Sequence, residues 1–383
     1  MLSWETSTTR GAGGVPGGEV DNDIIISYSD TIMSHCQISN RVQVRRLALG
    51  WSQVELAQRA GISRAAVSAI EITRLTPSVT AALGLARALG CSVEDLFGVG
   101  SATSEPEWAW PAPHEPAPCW RAVVQNRTLL YPVEHTLTGT VAHDGVVQGK
   151  TVSTRPAVAP ENTLVVATCD PAAGLLARAY QQASGLRMIV LPRSSRQALE
   201  LVAQGLVHVA GVHLAATSDR LGNAQAVRAC VGPGFCVVRV ASWQEGLALA
   251  PGLGVKTVGG ALRSRLTWVG RETGSGARQC LDELRGGRRP PRMIARDHRG
   301  VAEAVRSGWA DVGVCLQLAC AEAGLRFLSI REEAYDLCFA AATEADPRIQ
   351  ALLGALRSPQ YREQLAALPG YSAANIGDVT RVN

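Results

Sequence analysis

Residues 41–97, RVQVRRLALGWSQVELAQRAGISRAAVSAIEITRLTPSVTAALGLARALGCSVEDLF, decide how the front of the chain folds. Apolar positions recur at helical spacing through several short runs, which predicts a five-helix bundle too small to be the whole protein. Within it, SQVELAQRAGIS and RAAVSAIE read as a helix, a tight turn and a second helix. Ser52 stands at an N-cap position, and Glu55 three residues on completes the pattern of a capping box. Leu56 and Ala57 face inward, and Gly61 supplies the backbone freedom that a short turn needs. Ser63 caps the next helix, where Val67 and Ile70 fall three apart on one face. The outer face carries Arg64, Ala65, Ser68 and Ala69, short or basic side chains that let a helix enter a major groove.

This spacing resembles the Cro/cI-type helix-turn-helix, the XRE family, across the whole stretch. The family pattern is matched at Arg46, Ser52, Gln53, Leu56, Ala57, Gly61, Ile70 and Glu71. The resemblance implies double-stranded DNA as a partner. By position, Gln53 touches phosphate, Arg64 and Ala65 face base edges, and Arg46 pairs with Glu71 to fix the bundle. Thr73 departs from the family, which usually has glycine there, so the loop after the helix is expected to differ in shape. The segment holds seven arginines against four acids, a local balance of +3 that suits a polyanion.

Outward from the bundle, the 383 residues and 46% hydrophobic content suffice for more than one core, so two domains plus a tail are expected. The net charge is a mild +4, and lysine occurs only at positions 150 and 256. Ten cysteines are scattered without a CxxC pair or a metal-ligand rhythm, which reads as reduced core residues in a cytosolic protein. No metal or cofactor is expected. Residues 1–35, with GAGGVPGGE, read as a disordered tail, and Met33 is a candidate translation start. The run IIIS is far too short for a signal peptide or a span, and no membrane association is expected. The helix-turn-helix domain is placed at 36–99. Prolines at 106, 111, 113, 116 and 118 mark a linker, followed by a small β element with an Asp144-Gly145 turn, together spanning 100–158.

From residue 159 to the C-terminus, short apolar runs alternate with helical segments: TLVVATC, RMIVLP, LVHVAGV, FCVVRVA, LTWVGR, RMIAR, ADVGVC and LRFLSI. Strand then helix, repeated, predicts a mostly parallel sheet covered on both faces. The runs FCVVRV and DLCFAAA come where crossovers between two lobes would fit. The blocks CDPAAGLLA (169–177), LPRSSRQALELVAQGLVHVAGVHL (191–214), GRETGSGARQCLDEL (270–284), HRGVAEAVRSGWADVG (298–313), AYDLCF (334–339) and LPGYSAANIGDV (368–379) resemble a type II periplasmic-binding-protein fold. In particular they are similar to the cytoplasmic molybdate-receptor-like form found fused to helix-turn-helix domains. The implied fold class is an all-α helix-turn-helix bundle followed by a two-lobed α/β domain, with lobe 1 at about 159–233 and 330–383 and lobe 2 at about 234–329.

Such a fold binds its ligand in the cleft. Gly274, Ser275 and Gly276 stand where a helix begins, so free backbone N–H groups and the helix dipole favour an anion, with the Ser275 hydroxyl as a further donor and Arg278 one turn on. Arg193, Ser194 and Ser195 open a helix in the same manner. His213 sits just past a strand end, and Tyr335-Asp336 matches a Tyr-Asp pair of the family near the hinge. Two departures leave another small anion or a polar metabolite open beside molybdate. Asp297-His298 replaces a Thr-His pair, bringing a carboxylate that would repel an anion, and Arg193 stands where a glycine is common.

Enzyme signatures fail. Ser275 lies in TGSGA rather than in a GxSxG elbow, GLGVKT at 252–257 lacks the glycine before Lys256 that a phosphate loop requires, and no GxGxxG follows a strand. Cys236, Cys280 and Cys315 have no evident histidine partner. The expectation is a one-component transcription regulator, a cytoplasmic homodimer and not an enzyme, whose C-terminal domain senses a small ligand. A cytosolic ligand-binding protein or a binding-fold enzyme is the alternative.

Overall fold

The computed structural model describes residues 40–97, 106–154, 158–217, 219, 221–286 and 288–383. The expected tail at 1–35 and the candidate start at Met33 lie outside the described residues. Five helices open it: α1 (Val42–Ala48), α2 (Gln53–Ala60), α3 (Arg64–Glu71), α4 (Val79–Leu89) and α5 (Val93–Phe97). Val42, Leu56, Val67, Ile70, Leu85 and Leu96 close their core. Ser52 and Ser63 cap α2 and α3, accepting from the Glu55 and Ala66 amides at 3.1 Å each. The expected capping box forms only by half. Glu55 turns to Arg59 one helical turn on, at 2.8 Å, because an exposed opposite charge on its own face is the nearer partner. Gly61 ends α2 with φ +68, and Thr73 after α3 also takes a positive φ, +61.

The stretch expected as a linker is folded from residue 106 onward. Together with the small β element expected after it, it forms β1 (Glu107–Trp108), β2 (Ala117–Val124), β3 (Arg127–Pro132), β4 (Gly145–Gln148) and β5 (Thr151–Thr154), in the order β1-β3-β2-β4-β5. The prolines did not forbid a sheet because Pro106 precedes β1, three others fall between β1 and β2, and Pro118 enters near the start of β2. The expected Asp144-Gly145 turn is also corrected. Gly145 begins β4, and the buried Asp144 carboxylate takes two bonds from Arg187, at 2.5 and 2.6 Å. Trp120, Ala122, Leu129 and Tyr131 are buried against Val165, Ile189 and Leu191 of the next domain, so this sheet is one of its walls.

That domain runs β6 (Thr163–Thr168), α6 (Ala173–Ser184), β7 (Arg187–Pro192), α7 (Ser195–Ala203), β8 (Val209–Val212), α8 (Gly222–Val231), β9 (Phe235–Leu249), α9 (Val258–Arg263), β10 (Trp268–Arg271), α10 (Gly276–Arg285), β11 (Met293–Ala295), α11 (His298–Arg306), β12 (Val312–Leu316), α12 (Gln317–Glu322), β13 (Arg326–Ala340), α13 (Pro347–Arg357), α14 (Pro359–Ala366), β14 (Tyr371–Ser372) and β15 (Val379–Val382). The strands follow the path β11-β10-β12-β9-β13-β8-β6-β7, with β14 and β15 paired to β9. The two long antiparallel strands β9 and β13 belong to both lobes. Their one half carries the parallel set β7-β6-β8, and their other half carries β11-β10-β12. The register of β13 shifts twice along β9, at Ser329/Arg331 and Tyr335/Asp336, where the chain passes between lobes. Separate apolar clusters fill the two faces of each lobe, as a sheet covered on both sides requires. Val44 of α1 packs against the first lobe's core, so the bundle rests on α6 and α13. Among the described residues no helix is long and apolar enough to cross a membrane.

Candidate functional site

Two surfaces carry chemistry. On the bundle, Arg64 and Ala65 are exposed, Ser68 and Ala69 are half-buried, and all four lie on the side of α3 away from the buried Val67 and Ile70. The exposed Ser63 is spent on capping the helix. Behind this face, Arg46 meets Glu71 through two parallel bonds, Nε to Oε1 at 2.6 Å and Nη2 to Oε2 at 3.0 Å, and gives Nη1 to the Trp51 carbonyl at 2.7 Å. Gln53 donates its amide to the same carboxylate at 2.9 Å. A phosphate contact from that amide would therefore exchange for the Glu71 bond. The pair is buried, so it fixes the angle between α1 and α3 by geometry more than by net energy.

The second surface is the seam where the lobes meet. Parallel strands end toward it, which is where open α/β sheets place ligands. Lobe 1 contributes Thr168, Cys169 and Asp170 after β6, Ser194 and Ser195 at the start of α7, and His213 after β8. Lobe 2 contributes Arg271 at the end of β10, Gly274 to Gly276 at the start of α10, and His298 as the first residue of α11. Trp243, Glu245, Glu333 and Tyr335 come from the shared strands. The two anticipated helix starts do meet. The Arg196 amide donates to the Gly274 carbonyl at 3.3 Å, the Ser195 hydroxyl accepts from the His213 amide at 3.2 Å, and a Cβ on Gly276 would stand 2.2 Å from the His213 carbonyl oxygen.

Several anticipated ligand groups are already engaged. Ser275 gives its proton to the Glu272 carbonyl at 3.0 Å and accepts from the Arg278 amide at 3.2 Å, so its hydroxyl is a cap and not a spare donor. Ser194 closes a true capping box with Gln197. Arg278 turns along its own helix to Asp282, at 2.7 and 2.9 Å. Arg193 is held by Glu134 at 2.7 Å and lies over the Trp110 ring, drawn toward the side of the small sheet. Tyr335 is buried, bonds Thr168 at 2.7 Å and stacks on Trp243, 4.4 Å between centroids. Its neighbour Asp336 faces the other way. It takes Arg239 at 2.5 Å and Asn223 at 2.8 Å, and lines a separate cavity of about 640 Å³.

Sequence reading named His213 at the polar heart of the seam but missed the groups around it. Cys169 Sγ lies 3.0 Å from His213 Nε2, and His213 Nδ1 lies 2.9 Å from Glu333 Oε2. His298, 0% exposed, has no hydrogen-bond partner at either ring nitrogen, and its ring centroid is 5.5 Å from that of His213. Arg271, 1% exposed, clasps Glu272 with two nitrogens at 2.8 Å while Nη1 has no partner. Asp297, the carboxylate expected to repel an anion, is the N-cap of α11 and accepts from the Gly300 amide at 2.6 Å. Its pairing with His298 in the sequence was the one available signal.

The charges are set by burial against partners. Burial works to raise the Glu333 carboxyl, but the His213 ring and Arg331 outweigh it and bring it down to about 2. Burial works to lower His213, yet Cys169 and Glu333 together raise it well above 6.5. His298 is pushed well below 6.5 by burial, then by Arg271 and His213, and stays a neutral imidazole. Glu245 is raised well above an ordinary glutamate by burial and by Glu333.

A helix-turn-helix bundle rests here on a two-lobed α/β domain with polar groups buried along its seam. Residues 42–96 match the helix-turn-helix family and residues 177–357 match the PBP superfamily domain. An uncharacterized HTH-type transcriptional regulator of Methanothermobacter thermautotrophicus is 42% identical over 57 residues, 15% of this chain and 83% of that protein. Through this bundle the chain belongs to the helix-turn-helix family. The uncharacterized protein YvgK of Bacillus subtilis is 31% identical over 187 residues, 46% of this chain, and the chain spans 60% of its length. An ABC-type phosphate transport receptor from Vibrio cholerae aligns at 12% identity with a TM-score of 0.39, over 54% of this chain and 99% of that one.

Proposed function

We propose that this chain is a cytoplasmic one-component transcription regulator. It binds operator DNA as a homodimer through α3, and its two-lobed domain closes on a small ligand that changes the affinity for DNA. The observation that carries the ligand half is the pair of buried groups without partners, Arg271 Nη1 and the His298 ring, at the seam of two helix-bearing lobes. Buried polar groups are rarely left unpaired, and groups in a cleft that lack a partner are the ones a ligand satisfies. A guanidinium beside the helix starts at Gly276 and Ser195 suits a small oxyanion, of which molybdate is the member proposed. The DNA half rests on the exposed α3 face and on the family of the bundle. The reading treats the domain as a binding device and not as an enzyme.

The test is thermal unfolding of the full chain against molybdate, tungstate, phosphate and sulfate, followed by binding to its own promoter fragment with and without the hit. A ligand at a hundred times its Kd is expected to stabilise the domain by about 2.7 kcal/mol. Stabilisation with no change in DNA affinity would leave a cytosolic binding protein in its place.

A further inference from the structure

From the seam we infer that Cys169, His213 and His298 form a three-ligand site for a thiophilic d-block cation of the Zn²⁺ class. The inference rests on the same closed seam as the proposed function, and it names a second ligand class that seam would take. Sγ of Cys169, a ring nitrogen of His213 and a ring nitrogen of His298 all lie within 4.8 Å of one another, and all three residues are buried. One thiol and two imidazoles are the donor set that selects Zn²⁺ and its neighbours over Mg²⁺ or Ca²⁺, which take oxygen. Three protein ligands with a fourth position left for solvent or a small ligand are the pattern of reactive or sensing sites, whereas structural sites use four.

Two further features fit ligation. His213 places Nδ1 on Glu333 at 2.9 Å, which leaves Nε2, the nitrogen 3.0 Å from the sulfur, as the metal-facing atom. A carboxylate behind a ligating histidine is how such rings are oriented. Then there is His298, whose nitrogens have no partner in the fold. Cys169, His213 and Glu333 alone would also fit a nucleophile, its base and an orienting acid. That arrangement gives no role to a second imidazole beside the same sulfur, and a metal does. The other acidic grouping at the seam, His213 with Glu245 and Glu333, is less suited. Arg331 reaches Glu333 at 2.5 Å and Glu245 at 3.3 Å and already supplies their cation. Arg271, whose charge acts on both Cys169 and His298, is paired to Glu272 through two nitrogens and keeps only Nη1 without a partner. On binding, the protons on Cys169 Sγ and His213 Nε2 leave to solvent, His213 Nδ1 keeps its proton toward Glu333, and the thiolate and two imidazole lone pairs form the bonds. Because Cys169 and His213 come from lobe 1 and His298 from lobe 2, the ion would tie the lobes together.

The experiment is anaerobic titration of the chelator-stripped full chain with Co²⁺, followed by displacement with Zn²⁺. One equivalent is expected to give a thiolate-to-cobalt charge-transfer band and the visible bands of a four-coordinate ion. Cys169→Ser is expected to lose the charge-transfer band, and Cys230→Ser, at an exposed cysteine, to keep it. Glu333→Gln keeps the shape of the carboxyl and is expected to weaken Co²⁺ by about 10- to 100-fold. A missing band in the parent chain, or one that survives Cys169→Ser, overturns the site. Should Cys169→Ser prove unfolded by circular dichroism, unchanged Co²⁺ affinity in both Glu333→Gln and His298→Gln overturns it as well. Oxyanion stabilisation without the cobalt band would keep the proposed function and remove this site, and a cobalt band without DNA affinity would do the reverse.

Discussion

Arg64 and Thr73 sit at either end of the recognition helix and test different parts of the reading. Arg64 is exposed beside Ala65 at the start of α3, where a groove-inserted helix meets base edges. Arg64→Ala is expected to cost about 1–3 kcal/mol on the specific site and to relax discrimination at one base pair. Equal losses on specific and random duplex in a salt titration would mean that Arg64 touches only phosphate. Thr73 is a β-branched residue held at φ +61, where the resembled family usually has glycine. The left-handed region costs a residue with a Cβ on the order of 1 kcal/mol that glycine avoids. Thr73→Gly is therefore expected to stabilise the bundle by about that amount, less the entropy glycine adds to the unfolded chain, read as slower hydrogen exchange in α3 and α4. Faster exchange would show that the loop, not the helix, depends on the threonine side chain. Both positions were legible in the sequence because caps, turns and one-face periodicity are local.

At the scale of elements, legibility divides by sequence distance. Strand–helix alternation announced β6 to β8 and β10 to β12, since each is a short apolar run followed by a helical segment. The small sheet was expected, but its Pro-rich beginning was read as a linker, because prolines between strands look like prolines that prevent them. The seam chemistry was hidden for another reason. His213 was marked by its place just past a strand end, but Glu333 lies 120 residues away and no local pattern marks the lone acid that topology puts beside it. His208 shows how the small sheet is joined to lobe 1. Its Nδ1 accepts from the Val165 amide at 3.0 Å and its Nε2 donates to the Val123 carbonyl of β2 at 2.9 Å. Burial, then the charge of Arg348, bring this imidazole down to about 3. Above pH 6.5 it is neutral folded or unfolded and its contribution is complete. As pH falls from about 6.5 toward 3, the unfolded chain takes up a proton that the folded one refuses, so stability drops by roughly 1.4 kcal/mol per pH unit. His208→Asn is expected to be less stable at pH 8, through a lost hydrogen bond, yet to fall less steeply between pH 6 and 5. Parallel denaturation curves for parent and variant across that interval would show that some other group sets the acid limb.

For the whole molecule, the question is how a ligand at the seam could reach DNA. The bundle leans on lobe 1 through Val44, whereas lobe 2 hangs from the same sheet by β9 and β13. In the proposed regulator, lobe 2 moves relative to the bundle when the seam opens, and closure is the two-state element that a ligand biases. Gly276 is where this can be interrupted with one carbon. Its backbone approaches His213 so closely that an added Cβ would lie 2.2 Å from a carbonyl oxygen, and backbone on both sides cannot step aside as a flexible side chain would. Gly276→Ala is expected to hold the seam ajar while leaving the core of each lobe intact. Coupling of the usual size, about 1–3 kcal/mol, changes DNA affinity roughly 5- to 150-fold between liganded and free states. In Gly276→Ala that difference should shrink toward none, and ligand-induced thermal stabilisation should vanish with it, measured on the full chain with its own promoter fragment. If the variant lost ligand binding but kept the DNA affinity of the liganded parent, the open seam would be the state that the ligand normally produces, and the sign of the switch would be reversed. If both responses survived unchanged, closure at Gly276 would not be the switch.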